Sequence, residues 1–193
     1  LAIGHSARDT FLSLNESGVM MQPKSFAIGV RVEHSQEMIG RNQYGELYKA
    51  LPTADYKLTH QTKDGRGVYS FCMCPGGYVV NASSEPERTC VNGMSYSGRN
   101  AANANSAIIV SVTKDDFGGE DALAGMRYQR MLEHKNYMLG NGKIPQQLFG
   151  DYCQNVESSA YGAYASETKG QTVFSNLRGL MSNEMEQSFM QGM

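Results

Sequence analysis

The sequence lacks several features that would assign it to a function class from composition alone. No stretch approaches the roughly 20 consecutive apolar residues that a membrane helix needs. Neither charge sign is in large excess, because 17 basic residues stand against 19 acidic ones and the formal net charge is -2. The composition therefore gives no indication of a nucleic-acid surface or of binding to an anionic membrane.

Cysteine is scarce and is not arranged as a known metal or redox motif. Cys72 and Cys74 form a C-x-C pair, whereas redox centres and many zinc sites use C-x-x-C, and neither Cys90 nor Cys153 completes a second pair. We therefore predict no metal site and four free thiols, as in a reducing compartment. The first residues carry no basic lead and no long apolar run, so no secretory leader is indicated and a cytoplasmic location is expected.

A dinucleotide fingerprint, G-x-G-x-x-G after a strand, is also missing. The stretch Gly140–Lys143 superficially suggests a phosphate loop. It lacks the glycine six residues before the lysine and the serine or threonine after it. A loop between helices is the better interpretation, so the chain does not encode a nucleotide site of the usual kind.

The residues that are present indicate a globular protein, since 40% of the 193 residues are apolar and 19% are charged. The chain opens on apolar residues, Leu1–Gly4, that resemble the end of a buried strand, and this predicts a piece of a longer chain. Ser6 and Asp9 have the spacing of a capping box at the start of a helix, and Gly18 suits the position just after its end. Residues 1–19 are thus expected to form a strand, a glycine turn and a helix.

Residues 20–114 are predicted to be rich in strands. Alternation from Phe26 to Val32 is typical of a half-buried strand, and Ser35 can cap a short helix that ends at Gly40. An Asp-Gly pair at 64–65 predicts a hairpin between two further strands. The remaining expected features are the turn Cys74–Gly77, strands at Tyr78–Ala82 and Thr89–Val91, a tight turn at Asn92–Gly93 and a strand at Ala107–Val112.

Residues 115–193 are predicted to be mainly helical. Asp121 can cap a helix over Ala122–Leu139, Pro145 favours the start of another through Cys153, and Leu177–Met190 reads as a last helix. Because strands and helices cluster separately, the fold class is α+β: a β-rich half with a mixed or antiparallel sheet or a barrel-like form, followed by a helical half. The choice between an open sheet and a barrel stays open.

Two groups of polar residues are candidate site residues, each with a simpler explanation. Gly4, His5 and Ser6 lie where a strand meets a helix, and a helix N-terminus attracts anions. Asp9 would repel a phosphate, however, and on spacing alone the capping box is the stronger interpretation. Arg31, Glu33 and His34 could form a charge cluster, or they could be a solvated strand end. No catalytic residue can be assigned, because catalytic triads assemble in space.

Several long segments resemble bacterial FAD-dependent proteins described as NAD(FAD)-utilising dehydrogenases. These segments cover most of residues 1–150 and are residues 1–10, 26–34, 54–60, 67–77, 92–95 and 103–107. The resemblance implies a two-part flavoprotein, in which a Rossmann-like FAD domain is built from both ends of the chain and a second domain is inserted between them. This chain then resembles the inserted substrate domain, with residues 1–19 as a remnant of the FAD domain.

The resemblance also implies roles for individual residues. Gly4, His5 and Ser6 would lie against the flavin nucleotide, and the remainder of the FAD domain would be the partner of this chain. FAD would be bound in the full-length parent but not retained by this chain, with NAD(P)H as the candidate electron donor. The expected function is hydride or electron transfer on an unknown small-molecule substrate, with the fragment inactive alone. The polar residues expected to line the substrate pocket are Cys74, Asn92, Ser95, Arg99 and Asn105.

An alternative from another class is a non-catalytic module that binds a protein or a ligand through the loops of its β-rich half. The absence of a fingerprint and of a convincing catalytic set favours it, as do the polar residues 92–100, since binding loops and ordinary turns share that composition. Cys74 has an equally simple explanation as a buried structural thiol. Whether the chain belongs to an enzyme is therefore left open by the residues alone.

Overall fold

The computed structural model of the protein describes residues 3–193. Within that range the helices are α1 Arg8–Glu16, α2 Gln36–Tyr44, α3 Ala124–Gly140, α4 Phe149–Gln154 and α5 Asn183–Gly192, with a 3-10 helix at Gly45–Lys49. The strands are β1 Phe26–Ser35, β2 Thr59–Gln61, β3 Gly67–Cys74, β4 Tyr78–Asn81, β5 Val91–Met94, β6 Asn103–Val112, β7 Ile144–Gln146 and β8 Thr172–Phe174. None of these helices is both long enough and apolar enough to cross a membrane.

The main sheet has four antiparallel strands in the order β1-β6-β3-β2. Strands β1 and β6 pair over their full length, from Phe26 opposite Val112 to Ser35 opposite Asn103. Strands β4 and β5 form an antiparallel pair, and β7 and β8 form a short parallel pair. The α+β fold class is confirmed, and the described strands form open sheets rather than a barrel.

One face of the main sheet carries the core. Val110 and Val112 on β6 are fully buried, and helix α5 covers them with Met185 and Phe189. The residues of β1 predicted to share a face pack against this cluster: Phe26, Ile28, Val30 and Val32. The opposite face of β1 carries Ala27, Gly29, Arg31 and Glu33, as alternation along a strand requires.

Several local predictions are wrong, and tertiary pairing explains them. Pro145 lies in strand β7 rather than in a helix, where a two-stranded sheet leaves its missing N–H without consequence. Asn92 and Gly93 lie inside β5, paired with β4, rather than in a tight turn. Helix α2 runs through Gly40 and ends before Gly45, whose φ of +59° suits glycine.

The N-terminal segment is only partly as expected. Leu1 and Ala2 of the predicted strand end lie outside the described residues, and Ile3 and Gly4 are not in a strand. Ser6 does not cap α1, which begins at Arg8 without any side-chain cap. Two other predicted helix boundaries are confirmed. Ser35 caps the start of α2 by accepting a hydrogen bond from the Met38 N–H at 3.4 Å. Gly18 follows the end of α1 with a φ of +75°.

Candidate functional site

A cavity of about 790 Å³ lies beside the free edge of strand β1. Among the strands of residues 3–193, β6 pairs with one side of β1 and no strand pairs with the other side, which faces this space. Helix α3 and the segments 144–149 and 161–168 form much of the remaining wall, and α4 and α5 close one end with Tyr152 and Phe189. The lining is mostly apolar, and its acidic and basic members are His5, Arg31, Glu33, His34 and Glu133.

A network of ion pairs forms one wall and ties α1 to the rest of the chain. The Arg8 side chain is almost fully buried, and its guanidinium donates to both carboxylate oxygens of Glu133 on α3, at 2.7 and 2.8 Å. Arg8 also pairs with Glu85, which accepts a further bidentate contact from Arg130, the shortest bond being 2.6 Å. Paired, parallel hydrogen bonds of this kind fix both position and orientation.

His5 extends this network to the cavity surface. Its Nε2 donates to Glu133 Oε1 at 2.8 Å. The side-chain contacts with Cys90 and then with Glu133 raise the pKa of His5 to about 9, so the ring is charged at neutral pH. Hydrogen bonds from Arg130 and then Arg8 lower the pKa of Glu85 to about 2. The network therefore holds its charges over the whole physiological range.

His5, Cys90 and Glu133 place three potential metal-ligand atoms within 4.8 Å of one another. Their spacing in the sequence gave no sign of this, because the three residues come from distant parts of the chain. Arg8 occupies both oxygens of Glu133, so a metal ion would have to displace a buried guanidinium. The arrangement is better described as a charge network than as a metal centre.

The second polar feature beside the cavity is centred on Arg31 of β1. Its Nε donates to the side-chain oxygen of Asn105 at 2.7 Å, and its Nη1 contacts that of Asn92 at 3.3 Å. Its Nη2 donates to the Cys72 carbonyl at 2.5 Å and lies 3.3 Å from Cys74 Sγ. Three of the predicted substrate residues, Cys74, Asn92 and Asn105, therefore converge on Arg31, which was predicted to belong either to a charge cluster or to a solvated strand end.

Backbone features hold the Arg31 guanidinium in place. A β-bulge between Phe71 and Cys74 turns the Cys72 carbonyl toward it, and Cys72 itself has a φ of +46°. On the other side lies Gly93, where a Cβ atom would collide with the guanidinium and with Asn105. The side chain is thus fixed between β3 and β5, which is the kind of orientation that a recognition residue needs.

The other two predicted substrate residues lie elsewhere. Ser95 Oγ donates to the Pro75 carbonyl at 2.7 Å, which fixes the turn before β4. Arg99 is exposed in a turn with a φ of +45°, and its carbonyl packs over Gly76. None of the five predicted substrate residues is among those that line the cavity, and of the group around Arg31 only Arg31 itself does so.

Glu33 forms the far end of the site, and sequence reasoning missed its role. Its carboxylate accepts from Asn103 Nδ2 at 2.8 Å, from the Glu167 N–H at 2.7 Å and from Ser166 Oγ at 2.6 Å. It therefore anchors the segment that closes the cavity. His34 is on the opposite face of β1, buried against Tyr56, and burial lowers its pKa, so Arg31, Glu33 and His34 do not form a charge cluster.

Comparison with known proteins assigns the chain to a protein family. The sequence profile described as "FAD-dependent protein, C-terminal domain-like" matches residues 25–193. The chain belongs to this family. An uncharacterised protein of Clostridium beijerinckii is 52% identical over 167 residues, which cover 84% of this chain and 31% of that protein. The resemblance to FAD-dependent proteins is thus confirmed, and the chain spans less than a third of this relative.

The turn at Gly4–Ser6, predicted to lie against the flavin nucleotide, has features for and against such a contact. The turn at Gly4–Ser6 is open, since Gly4 has a φ of +74° and a Cβ there would touch nothing within 4 Å. The start of α1 is uncapped, which leaves backbone donors available. Against this, Asp9 lies in the first turn and His5 is already bound to Glu133. Contact of Gly4, His5 and Ser6 with a nucleotide therefore stays a prediction.

The raised pKa of His5 predicts a stability that falls at alkaline pH. Its protonated form is favoured by folding, so the contribution is complete below about 6.5 and is lost as pH rises through about 9. Because the His5 side chain is 43% exposed, we expect a loss of about 1 kcal/mol or less. Urea unfolding at pH 6 and pH 9.5 measures it. The His5→Gln variant should lose this part of the pH dependence, and an unchanged difference would contradict the assignment.

Proposed function

We propose that this chain is the substrate domain of an FAD-dependent oxidoreductase, inserted into an FAD domain of which residues 1–19 are a remnant. The observation that carries the proposal is the cavity beside β1, with Arg31 fixed at its wall by Asn105, Asn92 and the bulge of β3. A mostly apolar pocket with a few oriented polar groups is the usual form of a small-molecule site.

The chain's own residues would bind and orient the substrate and exclude water. In cofactor enzymes the group that carries hydride or electrons is the cofactor, and the protein supplies position and environment. The remainder of the parent would hold FAD, with NAD(P)H as a candidate donor, and Gly4, His5 and Ser6 would lie toward the nucleotide. Leu132 and Ile109 supply apolar surface, and Arg31 supplies a directed cation.

Visible absorption spectra of the full-length parent and of this chain with added FAD test the proposal. We expect flavin bands in the purified parent, and no flavin retained by the chain after gel filtration. A parent that is colourless and takes up no FAD would overturn the flavoprotein assignment. Flavin retained by the chain alone would instead show that residues 1–193 contain the nucleotide site.

One observation favours a second candidate, a non-catalytic binding module. Strand β1 leaves one ten-residue edge without a strand partner among the described residues, and such an edge can accept a strand from another protein. The same spectra separate the two candidates, because a module of this kind needs no flavin. A coloured parent favours the oxidoreductase, and a colourless one favours the module.

A further inference from the structure

The charged side chains beside the cavity differ in whether a group of opposite charge contacts them. Both carboxylates already have partners: Glu133 accepts from Arg8 and His5, and Glu33 accepts from the Asn103 amide, the Glu167 N–H and the Ser166 hydroxyl. Each therefore accepts at least three hydrogen bonds from the chain itself. A cationic ligand group would therefore find no free acidic partner at this wall.

Arg31 is in the opposite situation. No carboxylate of residues 3–193 lies within ion-pairing distance of its guanidinium, since the four contacts are two amide oxygens, a carbonyl and a thiol. A guanidinium has five N–H donors, and four contacts leave one on Nη1. The side chain is half-buried and oriented, but its charge has no counter-ion in contact. Burying a charge without a partner costs free energy, which an anion would recover.

A second cation, His5, lies near Arg31 along the chain that leads into β5. Asn92 contacts Arg31, and Cys90, two residues earlier, contacts His5, which is protonated at neutral pH. In an extended strand these two positions are roughly 7 Å apart. Among the residues that line the cavity, Arg31 and protonated His5 stand against Glu33 and Glu133, so the charges balance in number. Of the two cations, His5 is paired with Glu133, and Arg31 alone has no carboxylate in contact among residues 3–193.

We propose that the cavity accepts a small anionic group, a carboxylate or a phosphate, and that Arg31 is the cation that recognises it. This inference deepens the proposed function and rests on it for the view that the cavity faces a substrate. The fork of the guanidinium suits either anion, and the mostly apolar walls suit an organic body attached to it. The anion can come from the substrate or from the phosphates of FAD in the parent.

Benzoate and benzamide are a matched pair of probes, because they have nearly the same shape and differ in charge. Isothermal titration of the 193-residue chain should show benzoate binding about tenfold more tightly than benzamide, the scale of one charge-assisted hydrogen bond. The Arg31→Gln variant should reduce this preference to less than about twofold, and Arg31→Lys should retain part of it. Equal affinities in the wild-type chain would overturn the proposal.

The control is Arg41→Gln, which removes an exposed cation of α2 that pairs with Glu37 and Glu46 outside the cavity. It should keep the full preference for benzoate. If Arg31→Gln fails to fold, the Nε–Hε resonance of Arg31 in the wild-type chain decides. A shift with benzoate and none with benzamide supports the site, and no shift with either overturns it.

Titration of the full-length parent, with and without FAD, identifies the source of the anion. Benzoate affinity that is unchanged by FAD supports a substrate anion, whereas affinity lost on FAD loading supports a cofactor phosphate at Arg31. The preference of the isolated chain does not depend on flavin. A colourless parent with a benzoate-selective chain would therefore contradict the oxidoreductase alone, and a flavin-bound parent without selectivity would contradict the anion site alone.

Discussion

Replacement of Arg8 by methionine is expected to destabilise the fold by about 3 kcal/mol, because it removes one side of a buried charge network. Glu133 loses both of its guanidinium hydrogen bonds, and Glu85 keeps Arg130 at 2.6 Å and Arg88 at 3.8 Å as partners. The side chains of Glu133 and Glu85 are 12% and 20% exposed. The expected loss of stability is therefore at the lower end of the range for breaking a buried ion pair. The free energy of unfolding from urea titration at pH 7 measures it.

The matched control is Arg41→Met, since the Arg41 side chain is 47% exposed in its ion pairs. It should cost no more than about 0.5 kcal/mol. Adding Glu133→Gln to Arg8→Met should restore part of the loss, because it removes a carboxylate that has lost its partner. A cost below about 1 kcal/mol for Arg8→Met would show that water replaces the guanidinium, and the network would then not hold α1 in place.

The elements that could be predicted from the sequence are those that local chemistry determines. Alternation along β1 gave its core face, the Asp-Gly pair gave the hairpin of β2 and β3, and Ser35 gave the start of α2. Each of these signals lies within a few residues of its effect. The α+β class followed from the order of these segments and did not require their tertiary contacts.

The candidate site could not be predicted in the same way, because long-range contacts build it. Arg31 meets groups from residues 72–74, 92 and 105, and Arg8 meets Glu85 and Glu133. The capping-box interpretation of Ser6 and Asp9 failed for the same reason. It accounted for a local pattern, while the burial of Arg8 by distant carboxylates decides how α1 is placed.

Three of the polar residues predicted to line the substrate pocket lie near the site, but their role is different. Asn92, Cys74 and Asn105 hold an arginine instead of standing free to meet a ligand. A polar loop residue is visible in a sequence, whereas the partner that uses its hydrogen bonds is not. Buried polar side chains tend to be bound by other protein groups, so the cationic residue at their centre is the better candidate for ligand contact.

Replacement of Phe189 by alanine is expected to have the other large effect, a loss of about 3–5 kcal/mol. Phe189 is 2% exposed on α5 and meets the rings of Tyr152 and Phe149 edge-on, with centroids 5.5 and 6.2 Å away. Its removal leaves a void between α5 and the buried face of the main sheet. The midpoint of thermal unfolding and the free energy from urea titration both measure this loss.

Phe71→Ala is the matched control, since the same atoms are removed from a side chain that is 56% exposed on β3. We expect a cost of about 1 kcal/mol or less there. Phe189 also lines the cavity, so its truncation should enlarge the cavity at the end formed by α4 and α5. Benzoate selectivity should survive in Phe189→Ala wherever the fold does, because Arg31 lies on the opposite face of the sheet from the core. A stable Phe189→Ala variant that has lost this selectivity would show that α5 positions Arg31 through the sheet.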